Sequence, residues 1–181
     1  MIENEYKVML SKEEYDRVKA VYQWDSVINQ VNYYYDTTDF YLRRNDITFR
    51  IREIDGTYRL QIKYRDASDF QYASKVEVEY PIEGVKKHFP VLDYQKYLSK
   101  IEVNSDLMLL GSLKTNRWIK KLDVTEICLD YNQYLDTEDY ELELEFKDDN
   151  TEAQKIISTF RISPVKGQGK YRRFFERYIK E

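Results

Sequence analysis

The sequence predicts an α+β fold: a closed antiparallel β-barrel of eight strands forming a tunnel, with helices packed on the outside. Three observations predict it. Most of the chain alternates apolar and polar residues with a period of two. Several of these stretches set a fully ionic face against a fully apolar one. Glycine and proline are scarce, 5 and 3 in 181 residues, so turns are tight and the chain reads as a single domain over residues 1–181.

Taken in order, strands are expected at residues 2–9, 30–37, 46–53, 57–64, 73–81, 113–121, 125–131 and 139–147. Asp55-Gly56 marks a hairpin turn between two of them. A helix is expected over residues 11–24, because Ser11 can cap it while Glu14 closes a capping box. Further helices are expected at 91–101, at 151–160 with Thr151 as cap, and at 171–179, where Phe174, Phe175 and Tyr178 would pack on the barrel. The segment 82–90, with Gly84, two lysines and Pro90, reads as a loop.

Composition excludes several functions. Lys and Arg total 29 against 33 Asp and Glu, a net charge of −4, which argues against a nucleic-acid partner. No run approaches the ~20 apolar residues of a membrane span, and the first residues lack the parts of a secretion signal. A cytoplasmic location without membrane association is therefore expected. One cysteine, Cys128, rules out an internal disulfide, and one histidine, His88, argues against a His-rich zinc site or a Ser-His-Asp triad. The chemistry falls to carboxylates, lysines and arginines. Oligomeric state is not legible.

The ionic rows locate that chemistry. Glu3, Glu5 and Lys7 share one strand face, as do Arg50 and Arg52. Arg59, Gln61 and Lys63 form a third row, Lys75, Glu77 and Glu79 a fourth, and Glu141, Glu143 and Glu145 a fifth. A barrel with its helices outside turns these faces inward. A dry interior would cost several kcal/mol per ion, more in sum than a net stability of ~5–15 kcal/mol, so the interior must be wet. Lys7, Arg50, Arg52, Arg59, Lys63, Lys75 and Arg117 suit phosphate oxygens. Glu3, Glu5, Glu77, Glu79, Glu143 and Glu145 would repel a polyphosphate unless divalent cations came between them, and hard oxygen ligands suit Mg²⁺ or Mn²⁺.

The ordered motifs resemble a known family. Glu3-Asn4-Glu5-Tyr6-Lys7 is similar to the ExExK motif of the CYTH domains, or triphosphate tunnel metalloenzymes. Tyr34-Tyr35-Asp36-Thr37, Arg50-Ile51-Arg52, Leu60-Gln61-Ile62-Lys63, Glu77-Val78-Glu79, Leu110-Gly111-Ser112-Leu113, Arg117 and Asp130 follow in order. Tyr140-Glu141-Leu142-Glu143-Leu144-Glu145 and Gly169-Lys170-Tyr171 complete a set that looks most like the small bacterial YjbK-type branch. The resemblance implies a tunnel that holds a small-molecule triphosphate with one or two Mg²⁺ or Mn²⁺ ions. It implies Glu3, Glu5, Glu143 and Glu145 as metal ligands and Lys7, Arg50, Arg52, Lys63 and Arg117 as phosphate clamps. Arg59, Lys75 and Lys170 are further expected substrate contacts, and Glu5, Arg52, Lys63 and Glu79 the expected catalytic set.

The activity expected is hydrolysis of inorganic triphosphate or a small organic triphosphate. A class IV-type adenylyl cyclase is the alternative, although Met1-Ile2 stand where members of that group often carry His-Phe. A non-catalytic polyphosphate- or nucleotide-binding module is another. Gly167-Gln168-Gly169-Lys170 departs from a P-loop at Pro164 and Tyr171 and reads instead as a loop that delivers Lys170.

Overall fold

A computed structural model describes residues 4–65, 75–98, 103–162 and 167–180. Nine strands form one sheet: β1 (Asn4–Leu10), β2 (Ser26–Asp36), β3 (Thr48–Ile54), β4 (Thr57–Arg65), β5 (Lys75–Ile82), β6 (His88–Phe89), β7 (Leu107–Lys121), β8 (Thr125–Tyr134) and β9 (Thr137–Phe146). Their order is β1-β9-β8-β7-β2-β3-β4-β5, with the two-residue β6 added beside β7. The ladders β1–β9, β8–β9, β7–β8, β6–β7, β3–β4 and β4–β5 are antiparallel. Among the described residues no ladder joins β5 to β1, so hydrogen bonds do not close the sheet into the expected barrel.

The helices are α1 (Lys12–Val21), α2 (Tyr41–Arg44), α3 (Val91–Tyr94), α4 (Thr151–Phe160) and α5 (Lys170–Tyr178), with a 3₁₀ turn at Gln95–Tyr97 after α3. The chain divides into two compact units, residues 1–30 with 113–181, and residues 31–112.

In the first unit the capping box of α1 is complete. The Glu14 amide donates to Ser11 Oγ, and the Glu14 carboxylate accepts from the Ser11 amide at 2.7 Å. Val18 of α1 and Ala153 and Ile156 of α4 pack on Val8, Ile127, Leu129, Leu142 and Leu144. These are the apolar alternates of β1, β8 and β9, and their burial leaves the ionic alternates on the opposite face. The cap of α4 is Asn150 in place of the expected Thr151, whose own amide is satisfied by Asp149. The last helix begins one residue earlier than expected, which makes Lys170 its first residue.

In the second unit Phe49, Ile51, Leu60 and Ile62 are fully buried with Tyr35, Phe89, Tyr94 and Leu107. Each such aliphatic or aromatic side chain contributes about 1.5–3 kcal/mol by leaving water. The expected helix over 91–101 shortens to α3 and the 3₁₀ turn, its residues 99–101 lying outside those described. The expected loop 82–90 contains β6, because Phe89 is drawn into the core while His88 stays exposed against Asp106. Helix α2 was not expected. Asp36 organises it by accepting from the amides of Thr37, Leu42 and Arg43.

Several strands run longer than the alternation suggested, β2, β7 and β8 by the most. β2 starts at Ser26 because polar residues on the edge of the pattern still pair, as where Asn116 donates to Asn29. β7 starts at Leu107 and passes through Gly111, whose φ of 153° suits a residue without Cβ. Odd-numbered Leu107 and Leu109 meet an apolar cluster before Gly111, and even-numbered Trp118 does so after it. The alternation changes phase there, which hid the first half of the strand.

Candidate functional site

Registry assembles the ionic face of the first unit. Glu5 lies opposite Glu145 and Lys7 opposite Glu143 across β1–β9. Asp130 lies opposite Glu141 across β8–β9, and Arg117 opposite Asp130 across β7–β8. Asp130, Glu141 and Glu143 are buried, so their charges need partners.

Four cations answer them. Arg117 grips Asp130 with Nε and Nη2, both at 2.8 Å, and its Nη2 also reaches Glu143. Lys170 Nζ sits among three carboxylates: Asp130 Oδ2 at 2.8 Å, Glu141 Oε1 at 2.9 Å and Glu143 Oε1 at 3.0 Å. Lys7 Nζ lies 3.2 Å from both Glu5 and Glu143. Arg173, one turn beyond Lys170 on the same helix face, donates to Asp139 and Glu141. Asp139 also accepts from Asn132 and from the Tyr134 hydroxyl, and Asn132 accepts from Thr115.

These charges separate the two central acids. Burial alone would raise the Glu143 carboxyl, but Lys170, Arg117 and Lys7 hold it well below the usual range, with a hydrogen bond from Glu141 assisting. Burial pushes Glu141 up, and Lys170 and Arg173 oppose that. Burial would lower Lys170, yet Asp130, Glu141 and Glu143 raise it above the ordinary lysine value. Cys128 stands opposite Glu143 on this face, buried, its thiol pushed up by burial. It is therefore a poor nucleophile.

Two groups of carboxylate oxygens come within 4.8 Å of one another: Glu5, Glu143 and Glu145, and Asp130, Glu141 and Glu143. Both are all-oxygen donor sets, and Glu143 belongs to both.

The second unit carries the basic rows. Arg52 lies opposite Arg59, Arg50 opposite Gln61, and Thr48 opposite Lys63 across β3–β4. Gln61 then faces Glu79, and Lys63 faces Glu77, across β4–β5. Arg50 Nε donates to Gln61 Oε1 at 2.8 Å, and Gln61 passes the chain on to Glu79 at 2.6 Å. Arg52 Nε donates to Asn32 Oδ1 at 3.0 Å. Lys63 Nζ is 2.7 Å from Glu77, while Arg59 stays 3.8 Å from Glu79. Burial lowers the Lys63 ammonium below its ordinary value, Glu77 opposes this, and nearby Arg50 and Arg52 add to it.

Of the expected residues, Glu5, Lys7, Arg117, Glu143, Glu145 and Lys170 come together on the first unit's face. Arg50, Arg52, Arg59, Lys63 and Glu79 come together on the second's. Glu3 lies outside the described residues, and of Lys75 only the strand position is described. Sequence reasoning gave no site role to Arg173, Asp139, Asn132 or Gln61. Asp139 continues the row of Glu141, Glu143 and Glu145, and Arg173 is three residues past Lys170, so both carried a periodic signal.

Fold and site together define a class: an antiparallel sheet that sets out clustered acids on one unit and oriented arginines on the other. The CYTH domain family model matches residues 1–175, and the chain belongs to that family. It is 32% identical to the Bacillus subtilis protein YjbK, provisionally called a triphosphatase, over 97% of this chain and 95% of that one. A solved Bacillus halodurans protein, provisionally called an adenylate cyclase, superposes with a TM-score of 0.73 at 30% identity, covering 96% of this chain and 97% of that one. A Hippeastrum protein described as a provisional adenylyl cyclase with dominant triphosphatase activity shares the fold, with a TM-score of 0.73 at 18% identity over 97% and 96% of the two chains.

Proposed function

We propose that this chain is a divalent-metal-dependent triphosphatase acting on inorganic triphosphate or a small organic triphosphate. The observation that carries the reading is a pair of like-charge oppositions. Glu5 faces Glu145 and Arg52 faces Arg59, each directly across a ladder. Like charges so placed repel each other, so the first pair favours an added cation and the second an added anion. A divalent metal ion suits the first pair, and phosphate oxygens suit the second. The similarity to YjbK, whose name carries a triphosphatase assignment, supports the same reading.

Glu5, Glu143 and Glu145 would hold Mg²⁺ or Mn²⁺, since their oxygens already cluster and are all hard ligands. Glu3 would join them. An ion bound there supplies Lewis-acid neutralisation of phosphate oxygens. Lys7, with its side chain 23% exposed, can turn from Glu5 and Glu143 toward the ligand. Arg50 and Arg52 are oriented through Nε by Gln61 and Asn32, and their guanidinium forks would take equatorial phosphoryl oxygens. Glu79 fixes the far side of Gln61 and so the Arg50 fork. Lys63, its proton already loosened, is placed to give charge to the leaving oxygen. Phosphoryl transfer rests on such positioning and charge stabilisation.

Closure of the sheet into a tunnel, a single functional domain over the chain and a cytoplasmic location belong to the same reading. No helix is long and apolar enough to cross a membrane among the described residues. The likeness to the Bacillus halodurans protein keeps cyclisation of ATP as a second reading. Incubation with inorganic triphosphate, thiamine triphosphate, ATP and GTP, each with Mg²⁺ or Mn²⁺, separates them by product. Phosphate release that falls at least about 100-fold in Glu5→Gln is expected. Undiminished turnover in that variant removes the metal role, and cyclic AMP as the main product removes the hydrolase.

A further inference from the structure

Among the carboxylate oppositions of the first unit, two are treated differently by the chain. Asp130 faces Glu141, and Glu5 faces Glu145. Each pair is completed by Glu143, giving an inner triad and an outer one. Each triad also has an ammonium against it. Lys170 contacts all three members of the inner triad within 3.0 Å. Lys7 contacts two members of the outer triad, Glu5 and Glu143, at 3.2 Å.

The two ammonium groups differ in freedom. The Lys170 side chain is 9% exposed, against 23% for Lys7. Lys170 is the first residue of α5, and α5 is pinned on either side of it. Before it, the Gly167 amide donates to the Lys7 carbonyl at 2.9 Å. A Cβ at 167 would stand 2.6 Å from Lys7 Cγ, so glycine permits that approach. After it, Arg173 holds Asp139 and Glu141, and Phe174 is fully buried. The backbone that carries the ammonium is thus held in place, and the side chain itself is nearly buried.

The geometry points to Lys170 as a resident internal cation that occupies the inner triad of Asp130, Glu141 and Glu143 and closes it to divalent ions. Among the described residues the outer triad is then the carboxylate group left for a metal. Lys170 thereby sets how many ions the chain binds and where, a role distinct from the phosphate contact expected of it. Removing the ammonium leaves three buried carboxylates at nitrogen-to-oxygen spacing of 2.8–3.0 Å. A hard ion with bonds of about 2.0–2.1 Å could draw them inward.

This inference deepens the proposed metal site, and the test keeps the two apart. Mn²⁺ is titrated into the full chain without phosphate, and free Mn²⁺ is followed by electron paramagnetic resonance. Lys170→Gln is expected to bind one more Mn²⁺ per chain than wild type. Lys170→Gln with Asp130→Asn should return to the wild-type number, and Lys170→Arg should keep it. Because the readout is a difference, it stands whatever the wild-type number; loss of Mn²⁺ in Glu5→Gln tests the outer site separately. The apo variant carries buried charge that only Arg117, Arg173 and Lys7 still offset, so the Tm is also read with and without Mn²⁺, and a larger Mn²⁺-induced rise than in wild type is expected. No additional ion, or an equal Tm rise, overturns the inference. So does a wild-type chain that loses a bound Mn²⁺ on Asp130→Asn.

Discussion

Glu143 is the residue on which the acidic face turns, because it accepts from Arg117, Lys7 and Lys170 and belongs to both carboxylate triads. Glu143→Gln keeps the shape and removes the charge. Mn²⁺ affinity should fall about 10- to 100-fold in equilibrium titration, and phosphate release should fall with it. Arg52 differs in kind, since its Nε is held by Asn32 while it faces Arg59. Arg52→Gln should raise KM for triphosphate about tenfold, roughly 1.4 kcal/mol of ground-state binding, with the fold unchanged by circular dichroism. A drop in kcat alone would mean that Arg52 acts only in the transition state. The roles of Glu5, Arg52 and Glu143 were legible because strand periodicity places them in rows. The roles of Gln61 and Asn32 were not, since a neutral amide in an ionic row carries no charge signal until its partner across the ladder is known.

At the level of elements, the α1 capping box is fully local, which is why Ser11 and Glu14 could be read from spacing alone. Ser11→Ala should cost about 1 kcal/mol in urea denaturation while leaving Mn²⁺ binding intact. Leu60 is fully buried between β3 and β5 partners. Leu60→Ala should cost about 2–5 kcal/mol by opening a cavity. Helix α2 and strand β6 escaped the sequence because non-local groups make them. Asp36 caps the first from the end of β2, and β7 pairs with the second. The first half of β7 was hidden by the change of phase at Gly111, which interrupts the alternation on which strand recognition depends.

For the whole molecule, the abundance of tyrosine makes alkaline pH the revealing variable. Burial pushes the Tyr33 hydroxyl up to about 12, with its hydrogen bond to Glu53 adding to the effect. Burial and nearby Asp106 bring Tyr94 to about 12, and burial with Glu138 brings Tyr140 to about 12. These phenols lose a proton at about pH 10 when unfolded, so the unfolded chain binds fewer protons above that pH. The stability they contribute is complete below about pH 10 and is lost as pH rises toward about 12. Urea midpoints should therefore be level near pH 9 and fall steeply by about pH 11, with delayed phenolate absorbance marking the same groups. The sequence by itself determined the strands of strict alternation, their ionic rows and the resemblance to the CYTH domains, because a period of two assigns each residue a face. Only the tertiary structure decided which charges meet. Register brings Glu5 to Glu145, Asp130 to Glu141 and Arg52 to Arg59, and the docking of α5 sets Lys170 among three acids. Those pairings depend on contacts between segments far apart in the chain, where local periodicity carries no information.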